Sequence, residues 1–202
     1  MGELNFKIET TWNNETINHE PVKFTFEPDA DSVGLVIKID APFFNDPAKP
    51  SEKIGEFFNL WDYEVAEVFF LNKEGKYLEL EFGPHGHFVS ILFKGPQDVV
   101  NKSLIVDYQA EISENRWSGI AKIPEAYFPI NTTKMNAYAI HGSDKNRVYE
   151  SLFPTPNGKY EHPNFHRLEY FRNINLMTQI PQNYNRLFDS DLWNIDQNES
   201  LN

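Results

Sequence analysis

The chain contains no cysteine among its 202 residues. That removes disulfides, thiolate metal ligands and cysteine nucleophiles together, and it fits a reducing compartment. It also lacks any run approaching the ~18 consecutive apolar residues that a membrane span needs. The opening MGELNFKIETTW has no basic stretch followed by an apolar one, so a secretory signal is not expected. Position 6 is Phe where a myristoylation signal wants Ser or Thr. The cytoplasm is the expected location, and without secretion the sequons at Asn14, Asn101, Asn131 and Asn198 carry no meaning.

Basic residues are scarce: 18 Lys and Arg stand against 30 Asp and Glu, a net charge of −12. Such a surface repels phosphate backbones and anionic lipid, so neither nucleic acid nor membrane is an expected partner. There is no Gly-x-Ser-x-Gly elbow, no phosphate-cradling glycine loop and no dinucleotide fingerprint. No segment of a dozen residues sustains a helical period.

What the chain does have is alternation. Leu4, Phe6 and Ile8 alternate with Asn5, Lys7 and Glu9, and Leu35, Ile37 and Ile39 continue a series begun at Val33. Leu78, Leu80 and Phe82 alternate with Tyr77, Glu79 and Glu81; Val89, Ile91 and Phe93 follow, then Leu104 to Ile112. Period two marks half-buried strands. Turns at Lys73-Glu74-Gly75, Pro84-His85-Gly86, Gly95-Pro96 and Glu114-Asn115 separate them. Residues 63–71 are apolar on both faces, as for a central strand covered on both sides. Pro124 to Phe128 reads as one helical turn.

Many short strands at roughly ten-residue spacing argue an all-β, antiparallel β-sandwich over residues 1–172. Residues 173–202 turn polar and read as a C-terminal extension, partly docked through Leu187, Phe188, Leu192 and Trp193. Residues 41–61 and 153–165 are too long for hairpins. Long loops of this kind tend to carry function, although their Phe residues could equally plug the open ends of the sandwich.

Five segments carry a resemblance: LWDYEVAEVFFL (60–71), YLELEFGPHG (77–86), YAIHGS (138–143), FHRLEYF (165–171) and SDLW (190–193). In that order they resemble the uncharacterised family typified by the human chromosome 4 open reading frame 33 product. Residues 61–83 are more distantly similar to the family 9 carbohydrate-binding modules and DOMON-like domains. That likeness implies an immunoglobulin-like or jelly-roll sandwich, in some relatives with structural calcium. It also implies a sugar site in which Trp61 supplies a ring and Glu67 a carboxylate, with His87 where a basic contact is expected.

Read by themselves, the residues leave two readings open. Glu67 interrupts an apolar strand face, where a lone charge is prohibitive. It must either meet ligand hydroxyls or pair with an Arg or a backbone amide. A straight strand would put Trp61 about 20 Å from Glu67, so one sugar reaches both only if the loop folds Trp61 back. Trp12, Trp61 and Tyr77 are candidate aromatic platforms, and Glu79 a further ligand contact. On a regular sheet face Glu79 and Glu81 read mainly as solvated decoration, and the pairs Glu64/Glu67 and Glu79/Glu81 as poor glycosidase candidates.

His85 and His87 share a strand face at a spacing zinc sites use. With His141 and His166 they form a candidate metal set if the sandwich ends converge, with Zn or Ca as the ion. Hydrogen-bonded histidines beside tight turns are the plainer reading. Three functions follow: a non-catalytic binder of a carbohydrate or other small polyhydroxylated ligand, a cytoplasmic protein-interaction domain, or a histidine-based metal-dependent enzyme.

Overall fold

The computed structural model describes residues 2–50, 53–102 and 104–194. In chain order the strands are β1 (Leu4–Ile8), β2 (Thr10–Thr11), β3 (Val22–Pro28), β4 (Gly34–Pro42), β5 (Val65–Leu71), β6 (Tyr77–Phe82) and β7 (Phe88–Phe93). They continue with β8 (Val99–Asn101), β9 (Asp107–Ser113), β10 (Arg116–Pro124), β11 (Lys134–His141), β12 (Val148–Ser151) and β13 (Arg172–Asn173). The helical pieces are short, among them a 3-10 turn at Glu125–Tyr127 and α1 (Pro181–Asn185). All the strand pairs in the two sheets are antiparallel.

A five-stranded sheet runs in the order β1-β3-β4-β10-β9, and an eight-stranded one in the order β2-β12-β11-β5-β6-β7-β8, with β13 also on β11. The smaller sheet obeys strict alternation. In β9 and β10 every second residue is more exposed, so one face meets water and the other the core. Phe24, Phe26, Ile37, Ile39 and Trp117 from that sheet interleave with Val68, Phe70, Leu78, Leu80 and Phe82 from the other. Phe26 meets Phe70 at 5.5 Å between ring centroids, across the sandwich.

The larger sheet breaks that pattern. Every residue of β5, β6 and β7 is buried. Val65, Phe69, Leu71, Tyr77, Val89, Ile91, Phe93, Tyr138 and Ile140 build a second apolar cluster on its outer face. The two long loops cover it: Phe57, Trp61 and Tyr63 come from the first, Phe165 and Leu168 from the second. Other loop aromatics do plug the sandwich, since Phe43 and Phe153 pack on the main core.

The segment after β13 docks closely, in part through the residues expected: Trp193 is buried in the main core and Leu192 packs against it. Leu187 and Phe188 remain exposed, whereas Leu176 and Ile180 also enter the main core. Polar anchors reinforce this. The buried Asn183 side chain accepts from the Thr132 amide (2.9 Å) and donates to the Pro129 carbonyl (2.8 Å). Asp189 meets Lys76 at 2.6 Å and accepts from the Ile130 amide at 2.8 Å.

Ile180→Ala should therefore cost about 2–5 kcal/mol in denaturant unfolding, because it empties a filled core position. Phe188→Ala should stay within about 0.5 kcal/mol. Equal effects would show that this segment does not share the core.

Candidate functional site

The outer face of the larger sheet is not completely filled. A cavity of about 610 Å³ remains, floored by Glu67 and Phe69 of β5, Glu79 of β6, Ile91 and Phe93 of β7, Ile140 of β11 and Tyr149 of β12. Phe58 and Trp61 wall one side; Pro163, Asn164, Phe165 and His166 wall another. The volume suits a small molecule, for which pockets of about 300–1,000 Å³ are usual.

Local chemistry folds Trp61 back over the floor. Asn59 takes a left-handed conformation (φ 79°) and Leu60–Asp62 forms a 3-10 turn that buries Leu60. Arg147 fastens this turn, donating to the carbonyls of Trp61, Asp62 (2.9 Å) and Gly142 (3.1 Å). Because β5 begins only at Val65, the straight-strand separation does not apply, and Trp61 and Glu67 line one cavity. Phe58 sets its edge against Trp61 at 5.0 Å, and Phe165 stacks on Tyr138 at 3.9 Å.

Beneath these rings lie three carboxyls. Glu67 is paired across the strands with Glu81, and Phe69 with Glu79, so all three share one face. Glu67 is 2% exposed, Glu79 5% and Glu81 0%. The expectation that Glu79 and Glu81 decorate a wet face is overturned: the two long loops, one before β5 and one after β12, cover them. Among the described residues no N–H donor reaches either oxygen of Glu81, so a proton shared with Glu79 is its available partner.

Burial pushes the Glu67 carboxyl well above its ordinary range; the charge of Glu79 adds to this and Arg147 partly opposes it. Burial raises Glu81 in the same way, reinforced by Glu67 and Glu79. Glu79 is raised by burial to about 7, held down somewhat by its hydrogen bond from Glu81. Like charges this close cannot all ionise in a dry setting. The floor therefore holds protons near neutral pH, and a protonated carboxyl both donates and accepts.

His166 hangs over this floor, 3.9 Å from Glu79, with Nδ1 2.8 Å from the Tyr77 hydroxyl. Burial lowers its pKa to about 4, so the ring is neutral at pH 7. Tyr77 is fully buried, stacked on Phe93 at 4.6 Å, and supports His166 instead of offering a platform. Trp12 is half-buried beside a separate small hollow.

The remaining expected residues lie elsewhere. His85 packs on Phe43 and the buried His87 on Phe57, around a small hollow that also holds Glu64. Glu64 accepts from the amides of Phe44 and Asn45, and tethers the first loop; it makes no pair with Glu67 in the cavity. His85, His87, His141 and His166 thus do not converge on one ion. His141 instead joins His19 and Glu150 (2.9 and 2.8 Å from the same carboxylate oxygen). The acidic corner at Asp29 and Asp31 already holds Lys122, 2.7 Å from Asp31. Arg147, Tyr149, Phe58, Phe165 and His19 were not singled out by sequence. For Tyr149 the signal was available, since it alternates with Glu150 on a strand beside β11.

Fold and cavity define the class: an antiparallel sandwich whose larger sheet carries a covered, aromatic-walled, carboxyl-floored cavity on its outer face. The chain belongs to the uncharacterised UPF0462 family, whose human member is UPF0462 protein C4orf33. It is 41% identical to that protein over 199 residues, covering 96% of this chain and 98% of the relative. The zebrafish (Danio rerio) homologue is 42% identical, with 95% and 98% covered, and the rat (Rattus norvegicus) homologue 41%, with 97% and 100% covered. No family model matches the chain. Among solved structures, a protein of Bacteroides uniformis described as a candidate carbohydrate-binding protein superposes with a TM-score of 0.60. It covers 84% of each chain at 13% identity, a likeness of fold.

The carboxyl floor has a thermodynamic consequence. A carboxyl raised on folding favours the native state fully below its unfolded value and opposes it as pH climbs through the folded one. For Glu79 that window runs from 4.5 to about 7. The melting temperature should accordingly fall between about pH 4.5 and pH 7, and Glu79→Gln should narrow the fall. A melting temperature that rises over this range would contradict proton retention on the floor.

Proposed function

We propose that the cavity binds a small polyhydroxylated ligand, of the carbohydrate class, and that the protein is a non-catalytic binding sandwich. One observation carries this reading: Trp61 and Glu67, a flat ring and a carboxyl, line the same cavity on the covered face of the sheet. Aromatic faces receive the C–H faces of a sugar ring. A protonated Glu67 matches hydroxyls that themselves donate and accept, and Asn164 and Gln97 add amides to the lining. The Bacteroides uniformis neighbour, itself described as a candidate carbohydrate-binding protein, supports the reading through its shared fold.

Hydrolysis is less well served. Glu67, Glu79 and Glu81 lie side by side on one sheet face, whereas a glycosidase needs carboxyls on opposite sides of the scissile bond, about 5–9 Å apart.

A panel of mono- and oligosaccharides screened by calorimetry tests the proposal. Binding in the millimolar range, about −4 kcal/mol, is expected. Trp61→Ala should weaken it by about 1–2 kcal/mol, roughly five- to thirty-fold, and Glu67→Gln by a similar amount. No binder at high millimolar sugar, or binding indifferent to Trp61→Ala, would refute it.

A second reading rests on the adjacent Leu187 and Phe188, 82% and 79% exposed. On this reading the C-terminal segment presents them to a protein partner. Pull-downs with Leu187→Ser and Phe188→Ser together decide: partners retained by the double variant would exclude it.

A further inference from the structure

We propose that His19, His141 and Glu150 form a zinc-type divalent metal site at the rim of the sandwich, separate from the cavity. Glu150 is paired with Ala139 across the β11–β12 hairpin, which makes His141 its diagonal neighbour on the same face. That face belongs with Ala137 and Ala139 to the inner core, while the intervening Ile140 and Tyr149 point to the cavity. His19 arrives from the loop between β2 and β3. The three ligand atoms lie within 4.8 Å of one another.

Hydrogen accounting calls for a cation at His19. His19 Nδ1 lies 2.9 Å from the backbone carbonyl of Glu20, which can only accept, so Nδ1 carries a hydrogen. A neutral imidazole has just one N–H. The other nitrogen, Nε2, therefore directs a bare lone pair at a carboxylate oxygen 2.8 Å away, unless a cation intervenes. His141 Nε2 approaches the same oxygen at 2.9 Å. His141 can donate to that oxygen as its neutral Nε2–H tautomer, so His19 is the ring that calls for a cation; a proton supplies it there, whereas a metal ion would take the Nε2 lone pairs of both rings.

Two further observations point to a ligand. Glu150 is completely buried, and its second oxygen, Oε2, has no hydrogen-bond partner among the described residues. Leaving such an oxygen bare is costly, and bidentate metal binding would satisfy it. The Glu20 carbonyl on His19 Nδ1 is also the outer support that metal-bound histidines commonly carry, fixing tautomer and ring angle. The ring of His141 is held just as firmly, stacked on Phe44 at 3.7 Å with 6° between planes.

Two imidazoles and one carboxylate suit zinc and neighbouring transition metals, and disfavour calcium and magnesium, which take oxygen ligands. Three protein ligands leave a fourth position for water or a small anion. His19 and His141 side chains are 17% and 11% exposed, so solvent can reach that position.

The test uses the full chain without an affinity tag, stripped of metal, then titrated with Zn²⁺ against a chromophoric chelator and with Co²⁺ by visible absorption. One equivalent should bind with a dissociation constant at or below about 10 µM, and Co²⁺ should give the intense bands of four-coordination. His19→Ala, in a loop, and His141→Ala should each weaken binding at least about tenfold. The control His162→Ala, 81% exposed, should not. Zinc should raise the melting temperature of the wild type and leave that of His19→Ala unmoved, which separates a lost site from a lost fold. Absence of binding by about 100 µM Zn²⁺, or binding equally strong in His19→Ala, would reduce the cluster to a proton-bridged ion pair.

Discussion

The central strands of the larger sheet cannot meet water on either side, and the rest of the molecule is arranged around that constraint. A sandwich needs only one apolar face per sheet. Here Phe69, Tyr77, Ile91, Phe93 and Tyr138 make the second face of β5, β6, β7 and β11 equally apolar. Their exposure would be both unstable and sticky, so residues 57–63 and 165–171 of the two long loops are laid over them. These loops are consequently anchored: Glu64 holds the amides of Phe44 and Asn45, Arg147 holds the carbonyls of Trp61 and Asp62, and Tyr138 donates to the carbonyl of Phe165. The cavity is the part of that face which the two loops span without filling.

Covering the face also fixes the state of whatever polar groups it contains. A carboxyl in water ionises near pH 4; under a lid of aromatic rings the charged form loses its hydration, and the neutral form becomes preferred. Three such groups side by side strengthen one another, since each remaining charge makes the next ionisation harder. Arg147 offsets part of this for Glu67 while its guanidinium is already committed to loop carbonyls. The cavity floor thereby retains protons near neutral pH and can donate as well as accept hydrogen bonds, which suits hydroxyls more than anions.

Much of this was legible in the sequence, and the limits have a physical cause. Alternation located β1, β4, β6, β7 and β9 but passed over β3, β10 and β11, and the two-faced apolar run at 63–71 announced a strand covered on both sides. The loops at 41–61 and 153–165, singled out for their length, do supply Phe58, Trp61 and Phe165. Glu79 and Glu81 were misread because alternation within one strand says nothing about what covers its polar face. The correct signal lay in the neighbours: Ile91 and Val89 stand opposite them on β7, and Phe69 and Glu67 on β5. A carboxyl flanked by two-faced apolar strands has no water to face. His19 had no local signal at all, since its loop is unremarkable and only the tertiary fold brings it to Glu150. The tail docks through the expected Leu192 and Trp193 and through Leu176 and Ile180, which the sequence did not single out, while Leu187 and Phe188 stay exposed.

The cavity and the histidine cluster, although on opposite faces, depend on one register. On β12, Tyr149 points to the cavity and Glu150 to the histidines; a slip of one residue would exchange them. That register is set at the β11–β12 turn. Gly142 has φ 75° there, and a Cβ would collide with the backbone carbonyl of Asn146, so only glycine permits so close an approach. The turn passes directly into Arg147, whose contacts with Gly142, Trp61 and Asp62 bind the first loop to the hairpin. The turn that pairs Glu150 with Ala139 therefore also places Trp61 over Glu67, and the two sites inherit their geometry from the same few residues.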